Sequence, residues 1–185
     1  MHTGDGAEGS GAAGVRPKAV LVGPPGSGKT SVGAALAALT GLAVRDTDAD
    51  VEATVGMTIA ELFATRGEPA FRELEEQAVA AGLAEHAGVL SLGGGAVLSD
   101  RTRAALRGHA VVFLATSASV GMKRVGLTSH RPLLAGINPR ATYRSLLAQR
   151  LPLYQEVAAV EIDTDGLTVG QVAAAIAERL GLGSA

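Results

Sequence analysis

Short apolar runs separated by amphipathic stretches recur along the chain. Residues 19–22, 42–44, 89–92, 110–114 and 160–162 are each too short for a helix, and β-branched residues are frequent in them. This is the pattern of strands buried in a parallel sheet. Helical periodicity fills the intervals. The segment 29–39 opens on a glycine-rich turn, and Thr58 with Glu61 forms a T-x-x-E capping box ahead of 59–65. Residues 68–86 and 99–107 read as further helices. A helix over 140–156 carries Pro152, which is expected to end or kink it. A second box, Thr168 with Gln171, starts a last helix over 169–180. Alternating strands and helices predict βαβ units and an open parallel sheet covered on both faces.

Composition narrows the choice. The chain has 185 residues, 47% of them hydrophobic, which excludes global disorder and suits one domain. Sixteen basic against eighteen acidic residues leave a formal charge of −2. That balance supplies no bulk attraction for nucleic acid or anionic lipid, so neither is expected as a partner. No apolar run approaches the ~18 residues of a membrane span. Cysteine is absent, which excludes disulfides, thiolate metal sites and thiol nucleophiles. The four histidines show no metal-ligand spacing. The expectation is a cytoplasmic, monomeric domain over residues 17–182 behind a disordered tail over 1–16. A stretch of breakers and polar residues at 126–139 has the length of a functional lid.

The chemistry-bearing signal follows the first apolar run. Gly23-Pro24-Pro25-Gly26-Ser27-Gly28-Lys29-Thr30 matches G-x-x-x-x-G-K-[ST] and stands between a strand and a helix, where its mechanics require it. Backbone N–H groups of such a loop point at phosphate oxygens, and the helix N-terminus adds partial positive charge. Lys29 is placed to reach the β- and γ-phosphates, and the Thr30 hydroxyl to ligate Mg²⁺. The single asparagine, Asn138, excludes a guanine-reading Asn-Lys-x-Asp motif. The apolar runs 89–92 and 110–114 lead into glycine and into Ala115-Thr116, not into the Asp or Asp-Glu typical of motor ATPases.

Four other features could share this site. In Asp46-Thr47-Asp48, a spacing of two places both carboxylates on one side of an extended segment. They could serve Mg²⁺ and an acceptor hydroxyl, or Asp48 could merely cap the following helix. A second Asp-Thr-Asp at 163–165 reads as a turn. Glu68 and Arg72 are an i,i+4 pair, for which a solvated ion pair is the plainer account. Gly93-Gly94-Gly95 ends the third apolar run and suggests close approach of backbone to a ligand. Arg131 and Arg150 stand, respectively, in the candidate lid and on the helix after it.

In combination these residues resemble the shikimate kinases. The likeness extends from about Lys18 to Leu180 and rests on the ordered set Asp46-Thr47-Asp48, Gly-Glu-x-x-Phe-Arg at 67–72, Gly93-Gly94-Gly95, Arg131-Pro132-Leu133-Leu134 and Tyr143 through Arg150-x-Pro152-x-Tyr154. The resemblance implies a three-layer α/β/α P-loop kinase fold with a five-stranded parallel sheet, substrate-binding helices and a mobile lid. It implies transfer of the ATP γ-phosphate to the 3-hydroxyl of shikimate, in aromatic amino-acid biosynthesis, with one Mg²⁺ per monomer. Gly26, Ser27, Gly28, Lys29, Thr30 and Ser31 then hold ATP, with Arg124, Arg131 and Pro132 near the nucleotide. Thr30 and Asp46 serve the metal. Asp48, Arg72, Gly93, Gly94, Gly95 and Arg150 surround shikimate, with Phe63, Phe71 and Glu75 shaping the pocket. Lys29, Asp48 and Arg131 are the implied catalytic residues, with Asp48 either base or orienter.

Overall fold

The computed structural model describes residues 15–126, 138–183 and 185. The expected tail over 1–16 therefore lies outside the described residues as far as Gly14, and the expected lid over 126–139 does so between 127 and 137. Five strands, β1 (Ala19–Val22), β2 (Val44–Asp46), β3 (Val89–Ser91), β4 (Val111–Ala115) and β5 (Val160–Asp163), form one sheet. All pairs are parallel, in the order β2-β3-β1-β4-β5. The α-helices are α1 (Lys29–Thr40), α2 (Thr47–Val55), α3 (Ile59–Glu85), α4 (Asp100–Leu106), α5 (Ala118–Gly126), α6 (Pro139–Val157) and α7 (Val169–Leu180).

Strand alternation sorts the core into two layers. Ala19, Leu21, Val112 and Leu114 face one way, onto Val32 and Leu36 of α1 and Val172 and Ile176 of α7. Val20, Val22, Val111 and Phe113 face the other, onto Val79 of α3, Leu106 of α4 and Tyr154 of α6. A separate small core of Val51, Leu62 and Phe71 joins α2 to α3. It carries the acceptor side of the cleft described below.

Several elements differ from the sequence expectation for identifiable reasons. The second strand begins at Val44 rather than Leu42. It is an edge strand, and Val44 is 45% exposed, so the assumption of burial on both faces fails there. Arg45 on this edge pairs with Asp50 and Glu85 at 2.7 and 3.1 Å. Helix α6 does not end at Pro152 but runs on to Val157. The proline removes one intrahelical hydrogen bond, and burial of Tyr154 beyond it holds the final turn against the sheet. Helix α5 was not foreseen at all. Both capping boxes are present, at Thr58/Glu61 and Thr168/Gln171.

Candidate active site

The carboxyl edge of the sheet gathers the ends of all five strands, the usual location of a ligand crevice in an open α/β sheet. β1 delivers the phosphate loop. Gly28 takes a left-handed conformation, φ 91°, as N-cap of α1, which a glycine adopts without a Cβ penalty. Lys29 is buried and its Nζ donates to the carbonyls of Gly23 and Pro24 at 2.7 and 3.1 Å, so the ammonium is held against the loop. Gly26 through Ser31 all line a cleft of about 540 Å³. Asp46, Asp48, Gly94 and Arg124 line the same cleft.

The two aspartates converge by a different route from the one their spacing suggested. β2 stops at Asp46, and Thr47 and Asp48 already belong to α2. Asp46, not Asp48, is the N-cap: its Oδ1 accepts the Asp48 N–H at 2.9 Å. Asp48 therefore lies in the first helical turn, where the helix dipole favours its negative charge. The intervening Thr47 is fully buried, and its hydroxyl accepts the Gly93 N–H at 3.1 Å. This tie between the acidic triplet and the glycine loop was missed from sequence, though a polar residue between two cleft-facing acids was the available signal.

The glycines are required by what stands against them. A Cβ at Gly93 would lie 2.5 Å from Asp48 Oδ1 and 2.6 Å from Glu75 Oε1. A Cβ at Gly95 would collide with the Arg72 guanidinium, 2.8 Å from its Cζ. The carbonyl of Gly94 accepts Arg150 Nη1 at 3.0 Å and the Tyr154 hydroxyl at 2.5 Å. The loop is thereby wedged between α3 and α6, and Asp48, Glu75, Arg72 and Arg150 are brought around it.

Gly67 breaks α3 with a non-helical conformation, φ 78° and ψ 172°, and Pro69 falls in the first turn of the resumed helix. This bend starts the segment that carries Phe71, Arg72 and Glu75. The expected Glu68–Arg72 pair forms, at 2.9 Å, but Arg72 also donates to buried Glu75 at 2.6 Å. Burial pushes the Glu75 carboxyl up, against the opposing pull of Arg72. Burial works against the charge of Arg72, yet Glu75 and Glu68 together hold its pKa above the ordinary value. The Arg72 guanidinium stands 5.2 Å from the Phe71 ring centroid, and Phe71 packs on Phe63 at 4.9 Å. Arg150 is buried at 7% exposure.

At the other end of the cleft, Arg124 donates to the hydroxyl and carbonyl of Thr164 at 2.9 and 3.0 Å. Thr164 is buried and its hydroxyl donates to Ala115 O at 3.0 Å. Asp165 accepts the Thr116 hydroxyl at 2.7 Å and the Ser117 N–H. These hydrogen bonds outweigh partial burial and hold its carboxyl below the usual range. The second Asp-Thr-Asp is thus a turn, as read, but one that fastens β5 to β4 and positions Arg124. Leu167 and Val169 add apolar walls that the sequence reading did not assign.

Thr30 and Asp46 share the cleft, while no cluster of three His, Asp or Glu side chains exists among the described residues. That donor set suits a Mg²⁺ carried in by phosphates, which takes one or two protein oxygens and keeps its waters. Arg131 and Pro132 lie outside the described residues. No helix among the described residues is long and apolar enough to cross a membrane.

The family model for shikimate kinase matches residues 25–181. A shikimate kinase of Saccharopolyspora erythraea is 58% identical over 89% of this chain and 94% of its own length. A shikimate kinase of Salinispora arenicola is 57% identical over 89% of this chain and 98% of its own. Among solved structures, the shikimate kinase of Acinetobacter baumannii in complex with shikimate superposes with a TM-score of 0.85 at 36% identity, covering 90% of this chain and 93% of that one.

Proposed function

The chain belongs to the shikimate kinase family, and from that premise we propose that it transfers the γ-phosphate of ATP to the 3-hydroxyl of shikimate, the step that yields shikimate 3-phosphate in aromatic amino-acid biosynthesis. The observation that carries the reading is one cleft lined by Gly26–Ser31 of the phosphate loop together with Asp46, Asp48 and Gly94, with Arg72 standing against Gly95 and Arg150 donating to the Gly94 carbonyl beside it.

Each part has a chemical task. The Gly26–Ser31 backbone and Lys29 cradle the nucleotide phosphates, the adenine lies between Arg124 and the apolar walls, and Arg72 and Arg150 grip the acceptor carboxylate. Planar guanidinium forks match that group better than an ammonium does. Asp48 accepts the reacting hydroxyl and aligns it, or takes its proton, as phosphate transfers. Thr30 and, through water, Asp46 would hold Mg²⁺, which neutralises charge on the transferred group. The protein's own contribution is positioning more than covalent chemistry. We further assign it as a cytoplasmic monomer.

A coupled ADP-release assay with ATP and Mg²⁺ is expected to show turnover dependent on shikimate. ADP release that is driven by gluconate and not by shikimate overturns the assignment. Asp48→Asn is expected to cut kcat by about 10²-fold or more, the range of a lost general base, with ATP affinity retained. Near-normal turnover in that variant removes Asp48 from the reaction.

A further inference from the structure

The chain contains only two tyrosines, Tyr143 and Tyr154. Both stand on α6, and both are fully buried. Eleven residues is within 20° of three full helical turns, so they share one face of α6 some 16 Å apart. Each spends its hydroxyl on a backbone carbonyl of a different glycine loop. Tyr143 donates to Pro25 O in the phosphate loop at 2.7 Å. Tyr154 donates to Gly94 O in the triple-glycine loop.

A trans peptide is planar, and its C=O and N–H point in opposite directions. Fixing the Pro25 carbonyl toward α6 therefore turns the Gly26 N–H away from α6, and fixing the Gly94 carbonyl turns the Gly95 N–H likewise. Neither N–H has a hydrogen-bond acceptor among the described residues. Gly26 lines the cleft, and Gly95 stands against the guanidinium of Arg72.

The tyrosine seats are themselves constrained. A Cβ on Gly121 would run into the Tyr143 hydroxyl, and a Cβ on Gly26 would run into the Gly121 carbonyl, so α5, α6 and the phosphate loop interlock. The Tyr154 ring stacks on Phe113 of β4 at 5.1 Å and 18°. Burial pushes the Tyr154 phenol up to about 12, which keeps it a donor at any physiological pH.

We propose that Tyr143 and Tyr154 are positioning residues that set, from one face of α6, the two peptide planes presenting the Gly26 N–H to the donor phosphates and the Gly95 N–H to the acceptor. The proposal rests on the kinase reading above and goes beyond it, since neither side chain touches a substrate. One helix thereby holds both halves of the reaction in register.

The test is Tyr143→Phe and Tyr154→Phe in the full chain, with steady-state kinetics and separate calorimetric titrations of MgADP and shikimate. Tyr143→Phe is expected to raise the nucleotide KM and Kd by about five- to twenty-fold, the order of one mis-set hydrogen bond, with the shikimate values unchanged. Tyr154→Phe is expected to do the reverse. Equal effects on both ligands, or none on either in folded variants, overturn the proposal. Wild-type protein labelled with ¹³C at tyrosine Cζ covers the case of a variant that does not fold. It carries two resonances; MgADP is expected to shift one and shikimate the other, and any other pattern counts against the proposal. Wild-type protein that bound neither ligand would overturn the kinase reading itself. Normal wild-type binding with unsplit variants overturns this inference alone.

Discussion

Gly95→Ala isolates the acceptor clamp with a single methyl group. The backbone at Gly95, φ −101° and ψ −3°, is open to alanine, so no conformational strain enters. The added Cβ would lie 2.7 Å from Arg72 Nη2 and 2.8 Å from Cζ, with Nη1 closer still. Reaching ordinary contact at 3.4 Å requires Nη2 to retreat by about 0.7 Å and Nη1 by more. It cannot do so freely, because Nη1 is tied to Glu75 at 2.6 Å and Nη2 to Glu68 at 2.9 Å. Either those bonds lengthen or the fork tilts away from the carboxylate it is proposed to bind. A charge-assisted hydrogen bond lost from that fork is worth about 1.5–3 kcal/mol, a ten- to 150-fold rise in the shikimate KM. The nucleotide KM should stay within about twofold, because the phosphate loop is untouched, and Tm should barely move. The assay is initial-rate ADP release across a shikimate titration, checked by calorimetry without nucleotide. A shikimate KM and Kd within about twofold of wild type would refute the clamp geometry, since a bidentate contact cannot survive such a displacement intact.

Three further perturbations probe other parts of the molecule. Thr164→Val keeps shape but removes the hydroxyl that accepts from Arg124 and donates to Ala115 O; it should raise the nucleotide KM several-fold and leave the shikimate KM unchanged in the same assay. Gly82→Ala adds a Cβ 2.7 Å from a methyl of fully buried Leu90; overpacking of about 1–3 kcal/mol exceeds the gain in helix propensity, so Tm should fall by roughly 2–8 °C. The third concerns Glu75, whose carboxyl burial raises above 4.5. The folded state then binds the extra proton above that pH, so wild-type stability is lost relative to Glu75→Gln as pH rises through the window. Melting both proteins from pH 4 to 7 checks the sign: a wild-type advantage that grows with pH shows Arg72 outweighing burial.

The parts legible in the sequence are those whose physics is local. The P-loop spacing, the T-x-x-E and T-x-x-Q boxes and the alternating apolar runs each declare themselves within a few residues, and the strands lie within two residues of their expected places. Long-range partnerships were not legible. A polar Thr47 between two acids hints at a buried partner but does not name Gly93, 46 residues away, and nothing local to Thr164 points to Arg124. Helix α5 escaped because ASVGMKRVG is short and holds two glycines; its Ala118, Met122 and Val125 do stand at helical spacing, and they pack with Tyr143 and Leu146. The Asp46/Asp48 convergence was anticipated on a mistaken geometry. A helix start and an extended strand can both bring i and i+2 to one cleft, and spacing alone does not separate them.

The charge arrangement gives the site a direction. Glu75 is 3% exposed and its Oε2 is committed to Arg72, yet its Oε1 is buried with no hydrogen-bond partner among the described residues, an expensive condition for a carboxylate. A site evolved only for stability would replace this group by an apolar one of similar volume, often at no cost. Glu75 makes sense instead as a second, buried anchor that together with Glu68 keeps Arg72 extended toward Gly95. A guanidinium so restrained loses little further freedom when a ligand carboxylate arrives, which is how preorganisation becomes affinity. Arg150 is treated alike, fixed through Gly94 O rather than through an acid. Two cations are thus pinned by different anchors, Arg72 on α3 by acids and Arg150 on α6 by the Gly94 carbonyl, and a methyl group at Gly95 would collide with the first. The three consecutive glycines answer to different neighbours, Gly93 to Asp48 and Glu75, Gly94 to Pro25 and Gly95 to Arg72, and in the reading proposed above a carboxylate-bearing acceptor accounts for the two cations.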